Sequence, residues 1–269
     1  MLFNRHFRLL TIIVTFSIFS CVEKVPITGR KQLSLVPESD LVNMSLTEYQ
    51  KFLSEHKPLQ INDSRAQLVK SVGEKIQAAV IQFMNEKGYG DRIKDYQWEF
   101  NTVEDPIVNA WCMPGGKVVV YTGLLPVTQT EEGLAVVMGH EIAHAIARHG
   151  NERMSQGLLV QAGGLALQVA LSEKPQETQN LFLQSYGIGS TLGVLKYSRN
   201  HESEADKMGL VFSAIAGYDP NVAVAFWERM AAQSGGQQVP EFLSTHPSDQ
   251  TRIADIKAFL PEAMSYYKK

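Results

Sequence analysis

Two histidines and a glutamate in the segment HEIAH are the most informative chemical feature of the sequence. His140 and His144 are four positions apart, and Glu141 lies between them. On an α-helix, positions four apart differ by only ~40° in azimuth, so both imidazoles project from one face and can bind one cation. Two neutral imidazoles favour zinc, and a catalytic zinc needs a third protein ligand and an open position for water. The pattern predicts one zinc ion (Zn2+) per chain, with Glu141 as a general base that does not bind the metal.

The third ligand is expected from a pair of acids further along the chain. A third histidine at position 150 would indicate a metzincin, but Gly150 stands there, and that class is excluded. The segment ESEAD places Glu202 and Asp206 four apart, on one face of a predicted helix. Glu202 is the predicted ligand, and Asp206 is expected to accept a hydrogen bond from a ligating histidine. Glu204 is ~200° from Glu202 in azimuth, so we expect it to face solvent or to pair with a cation.

The elements that carry these residues indicate an α+β fold, mainly helical with a small mixed β-sheet. Apolar residues recur at helical spacing in two N-terminal stretches, whose predicted N-caps are Ser39 and Asp63. Alternating and β-branched residues predict strands at 96–100 and 117–121, with a Pro-Gly-Gly turn between them.

The zinc motif lies in a predicted helix from about 130 to 149, near the middle of the chain. Further helices are expected at about 202–216, after Asp219 and after His246, because proline at the first helical position suits the last two starts. Residues 157–195 contain two apolar segments. We interpret them as covering helices, since neither is an uncharged run of ~18 residues.

The first residues have the pattern of an export signal. Arg5 and Arg8 precede an apolar run that is too short to span a membrane but has the length of a signal-peptide core. The run ends at Cys21 in a pattern that resembles the lipobox of bacterial lipoproteins. We expect a signal peptide at 1–20, a lipidated tether at 21–37 and a metallopeptidase domain at 38–269. The protein would then face the periplasm, held to the membrane by lipid on Cys21. A secretory signal with an incidental cysteine, or an N-terminal membrane anchor, are the alternatives.

The composition is typical of one globular domain with a sizeable core. The chain has 269 residues, of which 44% are hydrophobic and 20% charged. Its formal net charge of -3 gives no reason to expect nucleic acid as a partner. If Cys21 carries lipid, Cys112 has no intramolecular partner, so stability must come from the core and the metal.

Several segments resemble one family of zinc metallopeptidases. They are NAWCMPGGKVVVYTGLL (109–125), EEGLAVVMGHEIAHAIARHG (131–150), RNHESEADKMGL (199–210) and THPSDQTRI (245–253), while PITGRKQLSL (26–35) is similar to the leader of lipoprotein members. The family is that of the HtpX, BepA and Oma-type metallopeptidases, which are related to the CAAX prenyl endopeptidase. The resemblance implies a gluzincin fold and endoproteolysis of polypeptides. It implies zinc at His140, His144 and Glu202, with Glu141 as the catalytic base.

The resemblance also implies that residues 109–121 supply an edge strand on which substrate is laid. The residues predicted to line it are Asn109, Ala110, Pro114 and Gly115.

The same resemblance brings the THPSDQTRI segment to the active-site cleft. His246 and Arg252 are therefore candidates to stabilise a developing oxyanion. Alternatively, His246 caps a helix or occupies the open zinc position as an inhibiting fourth ligand, and Arg252 is a surface residue. His149 and His201 are expected to be structural or solvent-facing.

The predicted function is hydrolysis of peptide bonds in envelope proteins, misfolded or unassembled outer-membrane or periplasmic proteins among them. Zinc lowers the pKa of its bound water, and Glu141 removes the proton and later delivers it to the leaving amine. One alternative is a periplasmic chaperone or assembly factor with a dormant or structural zinc site. Another is a zinc-storing lipoprotein, which the sequence disfavours because it offers few metal ligands and these surround a general base.

Overall fold

The computed structural model describes residues 22–162, 175–186, 197–233, 241–246 and 250–268. The predicted signal peptide and Cys21 lie outside this part of the chain, as do stretches of the apolar segments predicted at 157–195. In the described part, no helix combines the length and the apolar character needed to cross a membrane.

The described elements confirm the α+β class, mainly helical with small sheets. In chain order they are β1 (Val22–Lys24), β2 (Lys31–Leu33), α1 (Glu38–Glu55), α2 (Ser64–Glu86), β3 (Glu99–Val103), β4 (Ala110–Met113), β5 (Lys117–Tyr121), α3 (Leu125–Thr128), α4 (Glu131–Ile146), α5 (His149–Ala162), α6 (Pro175–Ser185), α7 (Arg199–Ile215), α8 (Val222–Gln233), α9 (Glu241–Thr245) and α10 (Gln250–Met264).

The central sheet is mixed, with strand order β3-β5-β4. Strand β3 runs parallel to β5, and β4 runs antiparallel to it, so β4 is an edge strand among the described residues. Ala110 and Cys112 belong to the largest hydrophobic cluster, with α2 and α4. Trp111 and Met113 belong to a second cluster, with α1, α5 and α6. Because both faces of the sheet are covered, β4 and β5 are continuously apolar apart from Lys117.

Helix starts follow the predicted caps in one of two cases. Asp63 accepts a hydrogen bond from the Arg65 backbone N–H at 2.8 Å and caps α2. Ser39 is not a cap, because α1 begins one residue earlier, at Glu38, directly after Pro37.

The helix predicted from 130 to 149 ends earlier than expected, at Ile146, and a separate helix begins at His149. Thr130 caps α4 by accepting a hydrogen bond from the Gly133 backbone N–H at 3.0 Å, and α4 ends at Ile146. Arg148 then has a left-handed φ of 59°, and α5 begins at His149. A left-handed residue cannot continue a right-handed helix, so the chain changes direction immediately after the zinc motif.

Helices α4 and α7 cross at backbone contact, at Gly139 and Gly209. A Cβ atom built on Gly209 would lie 2.8 Å from the Gly139 carbonyl carbon and 2.8 Å from the His140 nitrogen. Glycine permits this approach because it has no Cβ atom. The crossing fixes the HEIAH helix against the helix that carries the ESEAD segment.

The segment expected to be a tether is packed against the domain from Val22 onward. Strands β1 and β2 pair antiparallel, and Val25 is fully buried in the largest cluster. The Gln32 side chain donates a hydrogen bond to the Ala147 carbonyl at 2.8 Å. We call residues 22–33 the N-terminal hairpin. Its contacts with the end of α4 make it part of the folded unit.

Candidate metal centre

Four buried side chains converge where α4, α7 and the end of α9 meet. They are His140, His144, Glu202 and His246, whose ligand atoms all lie within 4.8 Å of one another. His140 Nε2 is 3.0 Å from His144 Nε2 and 3.2 Å from His246 Nδ1. Glu202 Oε1 is 3.0 Å from His246 Nδ1 and 3.4 Å from His144 Nε2. The four donors therefore surround one point.

The chemistry of this cluster fits a divalent cation. Three imidazole nitrogens and a carboxylate oxygen are ligands that zinc accepts in tetrahedral sites. Glu141, Glu202 and Asp206 are all buried at or beside the cluster, and Arg252 is the guanidinium that contacts Glu202 and Asp206 among the described residues. Three carboxylates opposite one guanidinium leave an excess of negative charge in a region shielded from water. Such an excess is costly unless a cation neutralises it.

Asp206 supports His140 from behind. Its Oδ1 accepts a hydrogen bond from His140 Nδ1 at 2.9 Å, so His140 Nε2 is the nitrogen that faces the cluster. Burial raises the pKa of Asp206, but the Arg252 charge and the hydrogen bond with His140 outweigh burial and lower it. Asp206 is therefore an ionised acceptor that fixes the orientation of the His140 ring.

Arg252 is buried and holds both acids of the ESEAD segment. Its Nε and Nη2 donate to the two carboxylate oxygens of Asp206, each at 2.7 Å. Its Nη1 lies 2.7 Å from Glu202 Oε2. The guanidinium carbon also lies 3.4 Å from the Trp227 ring centroid. The alternative that Arg252 is a surface residue is wrong, since it is 7% exposed.

Glu141 lies beside the cluster and is poorly satisfied. It is 4% exposed, and its Oε1 has no hydrogen-bond partner among the described residues. Its nearest cation-forming neighbour is His246, whose Nε2 is 3.5 Å from Oε1. Burial raises the pKa of Glu141, although the charges of His246 and His140 oppose the shift. A raised pKa brings a carboxylate closer to the range in which it can both accept and return a proton.

The two histidines of the HEIAH motif differ in their proton affinity. Burial lowers the pKa of His140, but its hydrogen bonds to Asp206 and Glu202 outweigh burial and raise the pKa to about 9. Burial lowers the pKa of His144 well below its usual range. Glu202 keeps its charge, because the charges of His246 and Arg252 outweigh burial and hold its pKa well below normal.

The residues predicted to bind substrate lie in and around β4. Ala110 is the first residue of the strand, Asn109 precedes it, and Pro114 and Gly115 begin the turn to β5. All four are buried. Asn109 also donates a hydrogen bond to Glu241 at 3.2 Å, at the start of α9. The N-terminal end of this edge strand is therefore adjacent to the segment that ends in His246.

The position of His149 against the metal centre was not predicted from the sequence. Its Nδ1 lies 2.9 Å from His144 Nδ1, and its Nε2 lies 3.0 Å from Glu204 Oε2. On a continuous helix, positions five apart differ by ~140° in azimuth, so the spacing gives no signal for this contact. The contact exists because the left-handed Arg148 ends α4. Glu204 is buried, so the solvent-facing alternative is wrong. It pairs with a cation, as the other alternative stated, and that cation is Arg30.

Comparison with known proteins agrees with this geometry. A family model described as Peptidase family M48 matches residues 70–260. The chain belongs to peptidase family M48. It is 34% identical over 248 residues to the mitochondrial metalloendopeptidase OMA1 of Schizosaccharomyces pombe, covering 91% of this chain and 68% of that protein. It is 32% identical over 254 residues to human OMA1; the match covers 91% of this chain and 47% of human OMA1. It is 28% identical over 165 residues to the β-barrel assembly-enhancing protease of Escherichia coli; the match covers 60% of this chain and 34% of that protease.

Membership of family M48 confirms the family, the enzyme class and the cofactor expected from the sequence. The protein is a zinc-dependent metalloendopeptidase, a hydrolase that acts on polypeptides. Across the three relatives described, the chain matches between about one third and two thirds of each relative's length.

Proposed function

We propose that this peptidase hydrolyses misfolded or unassembled proteins of the cell envelope, with a zinc ion held by His140, His144 and Glu202. The observation that carries the zinc site and its chemistry is the convergence of these three side chains, whose ligand atoms lie within 4.8 Å of one another, beside the buried Glu141. When bound, zinc supplies a Lewis acid that polarises the scissile carbonyl and makes water more acidic.

Glu141 is the proposed general base. It accepts the proton of the attacking water and passes it to the leaving amine. This role is supported by the raised pKa of Glu141 and by its Oε1, which has no hydrogen-bond partner among the described residues. Arg252 is proposed to hold Glu202 and Asp206 in place through the 2.7 Å contacts described above. Any contribution of Arg252 to oxyanion stabilisation stays a prediction.

His246 is proposed to occupy the fourth ligand position in this arrangement. Its Nδ1 lies within 3.2 Å of both His140 Nε2 and Glu202 Oε1. A closed four-ligand set is typical of structural zinc sites, whereas catalysis needs an open position. We infer that the arrangement with His246 in the cluster is dormant, and that the ring must leave before it can contribute to oxyanion stabilisation.

Substrate is proposed to bind in extended form along β4. Backbone pairing with an edge strand tolerates varied side chains, which suits a peptidase that acts on misfolded chains. The burial of Ala110 indicates that the covering elements must shift before a substrate strand can pair. Proline scanning of a cleavable peptide tests this proposal: cleavage should be lost at alternate positions near the scissile bond, and uniform tolerance of proline would contradict it.

Attachment to the envelope membrane through a lipidated Cys21 is a further part of the proposal. It is supported by the arginines and apolar run that precede this cysteine in the sequence. The test is fractionation of a Cys21→Ser variant, which should leave the membrane fraction. Retention in the membrane with the signal removed would contradict lipidation.

The deciding experiment compares the wild type with Glu141→Gln. The variant should keep one zinc per chain, measured by elemental analysis, and lose peptidase activity by roughly 10²-fold or more, as expected for loss of a general base. Proteomics of envelope fractions should then show full-length substrates that accumulate only in the variant. A Glu141→Gln variant that supports all cellular function would instead favour a chaperone or assembly factor with a dormant zinc site.

A further inference from the structure

A second buried polar cluster lies directly behind His144, on the side away from the metal centre. Its members come from α5, α7 and the N-terminal hairpin, and they are Thr28, Arg30, His149, Glu152, His201 and Glu204. His149 is completely buried, whereas the Arg30 side chain is 26% exposed. We call these residues the rear cluster. The proposed mechanism uses none of them.

The hydrogen bonds between the two histidines have a defined direction if His144 binds a metal. A ligating nitrogen carries no proton, so a neutral His144 that presents Nε2 to the metal keeps its proton on Nδ1. His144 Nδ1 then donates to His149 Nδ1, 2.9 Å away. The remaining proton of a neutral His149 is on Nε2, which donates to Glu204 Oε2 at 3.0 Å. The chain of donors that begins at His144 therefore ends on a carboxylate.

The N-terminal hairpin fixes that carboxylate. Arg30 Nε lies 2.9 Å from both carboxylate oxygens of Glu204, and the Thr28 hydroxyl donates to Oε1 at 2.6 Å. The other guanidinium nitrogens of Arg30 donate to Glu152 at 2.9 and 2.7 Å. Glu152 in turn accepts from His201 Nε2 at 3.0 Å. A single arginine thus holds one acid from α5 and one acid from α7 in fixed positions.

We propose that Arg30 is a positioning residue for the metal centre, acting through Glu204 and His149 to fix the ring of His144. The inference rests on the proposed function, in which His144 binds zinc. Its physical basis is that the nitrogen opposite the metal sets the orientation and basicity of a ligating imidazole. Asp206 does this directly for His140, whereas for His144 the acid acts through His149. The N-terminal hairpin is therefore a component of the metal centre and not only a connection to it.

A purely structural role for Arg30 predicts different results. In that case Arg30 would only anchor the hairpin to the rest of the domain. Glu23 is such an anchor, because its carboxylate lies 3.0 Å from Arg92 and 2.6 Å from Arg148. Glu23→Gln is thus a matched control, because it weakens an anchor of the same hairpin without touching the rear cluster. Loss of a partly exposed ion pair should change stability by about 1 kcal/mol or less and leave zinc binding unchanged.

The test measures zinc affinity by competition with a chelator, and the visible absorption spectrum of the protein loaded with Co2+, in folded full-length variants. Loss of an outer partner of a ligand typically weakens metal binding about 10–100-fold. Arg30→Gln and His149→Leu should each show a loss in this range and an altered Co2+ spectrum. Arg30→Lys should restore part of the affinity, and Glu23→Gln should match the wild type.

A double-mutant cycle isolates the pathway through His149. If Arg30 acts through His149, Arg30→Gln should weaken zinc binding in the wild type but have little further effect in the His149→Leu background. An equal loss in both backgrounds would overturn the proposal. So would an Arg30→Gln variant that is less stable but keeps the wild-type zinc affinity and Co2+ spectrum.

Two further variants keep the test decisive. If Arg30→Gln does not fold, Thr28→Val removes only the hydroxyl donor to Glu204, and it should weaken zinc binding several-fold, less than the range expected for a full outer partner. Unchanged zinc affinity in Thr28→Val would then count against the rear cluster. His144→Gln tests the metal site itself. If it binds zinc as the wild type does, the proposed function fails, whatever the result for Arg30.

Discussion

Replacing Asp206 by alanine tests how the acids, Arg252 and the metal depend on one another. The carboxylate accepts one hydrogen bond from His140 at 2.9 Å and two from Arg252 at 2.7 Å. Arg252 is 7% exposed, so Asp206→Ala removes one of the two acids that hold it among the described residues, in a region shielded from water. Breaking a buried ion pair from one side typically costs about 3–5 kcal/mol. Glu202 remains 2.7 Å from Arg252, so we expect a value near the lower end.

The metal should respond separately from the fold. Without Asp206, the His140 ring loses the acceptor that orients it, and zinc affinity should fall about 10–100-fold. Urea denaturation in the presence of a chelator measures the first effect, and chelator competition measures the second. Asp255→Ala is the control, because Asp255 is an exposed acid on α10, the helix that carries Arg252. Its free energy of unfolding should change by less than about 0.5 kcal/mol.

Two results would refute this reasoning. If Asp206→Ala without metal unfolds within about 1 kcal/mol of the wild type, Arg252 does not depend on this acid. If zinc affinity is unchanged, His140 does not need Asp206 for its orientation. Asp206→Asn should fall between alanine and the wild type in both measurements, because the amide oxygen can still accept the hydrogen bond from His140.

The remaining predictions concern the ligands, the helix crossing and proton release. His246→Ala should keep zinc and raise peptidase activity on an unfolded protein; reduced activity with zinc retained would mean that His246 assists catalysis. Glu202→Gln should lose zinc and activity. Glu204→Gln keeps an acceptor for His149 but loses the charge that Arg30 holds, so it should still take up one zinc per chain at saturating zinc, with weakened affinity. Metal analysis with the opposite result would show that the helix register is wrong. Gly209→Ala should destabilise the protein by about 1–3 kcal/mol, because the alanine Cβ atom would lie 2.8 Å from the α4 backbone. An unchanged melting temperature would contradict the backbone contact between α4 and α7. The acidic partners of His140 raise its pKa to about 9, so we expect this ring to be protonated at pH 7.5 without metal. Zinc binding should then release about one proton at pH 7.5 and fewer as the pH rises through 9, measured by calorimetry in buffers of different ionisation enthalpy.

The features that could be predicted from the sequence depend on local periodicity. The spacing of Glu202 and Asp206 fixes their common azimuth on any helix, and the structure brings both of them to the side of α7 that faces His140. The cap of α2 at Asp63 and the Pro-Gly-Gly turn before β5 are also short-range features. The turn contains two glycines with φ values of 84° and 79°, a conformation that few other residues adopt.

The features that could not be predicted depend on one backbone angle and on contacts between distant parts of the chain. The left-handed φ of Arg148 ends α4, and nothing in the composition of this segment signals it. The pairing of Arg30 with Glu204 joins residues 174 positions apart. Helical spacing identifies residues that share a face within HEIAH or ESEAD, but it cannot identify a contact between residues so far apart in the chain. For this reason the N-terminal segment was expected to be a tether, although it contributes to the cluster behind His144.

The distribution of charge explains why the site requires both Arg252 and a metal. Glu141, Glu202 and Asp206 are buried together, and a buried carboxylate without a partner is unfavourable by several kcal/mol. Arg252 contacts two of these acids, but it carries only one positive charge. The acidic partners of His140 raise its pKa, which favours a proton on this ring when no metal is bound. A divalent cation can replace that proton and contact Glu202 directly, so folding and zinc binding should stabilise each other. Glu141 lies beside this charge, and its Oε1 has no hydrogen-bond partner among the described residues, so it is placed to transfer protons.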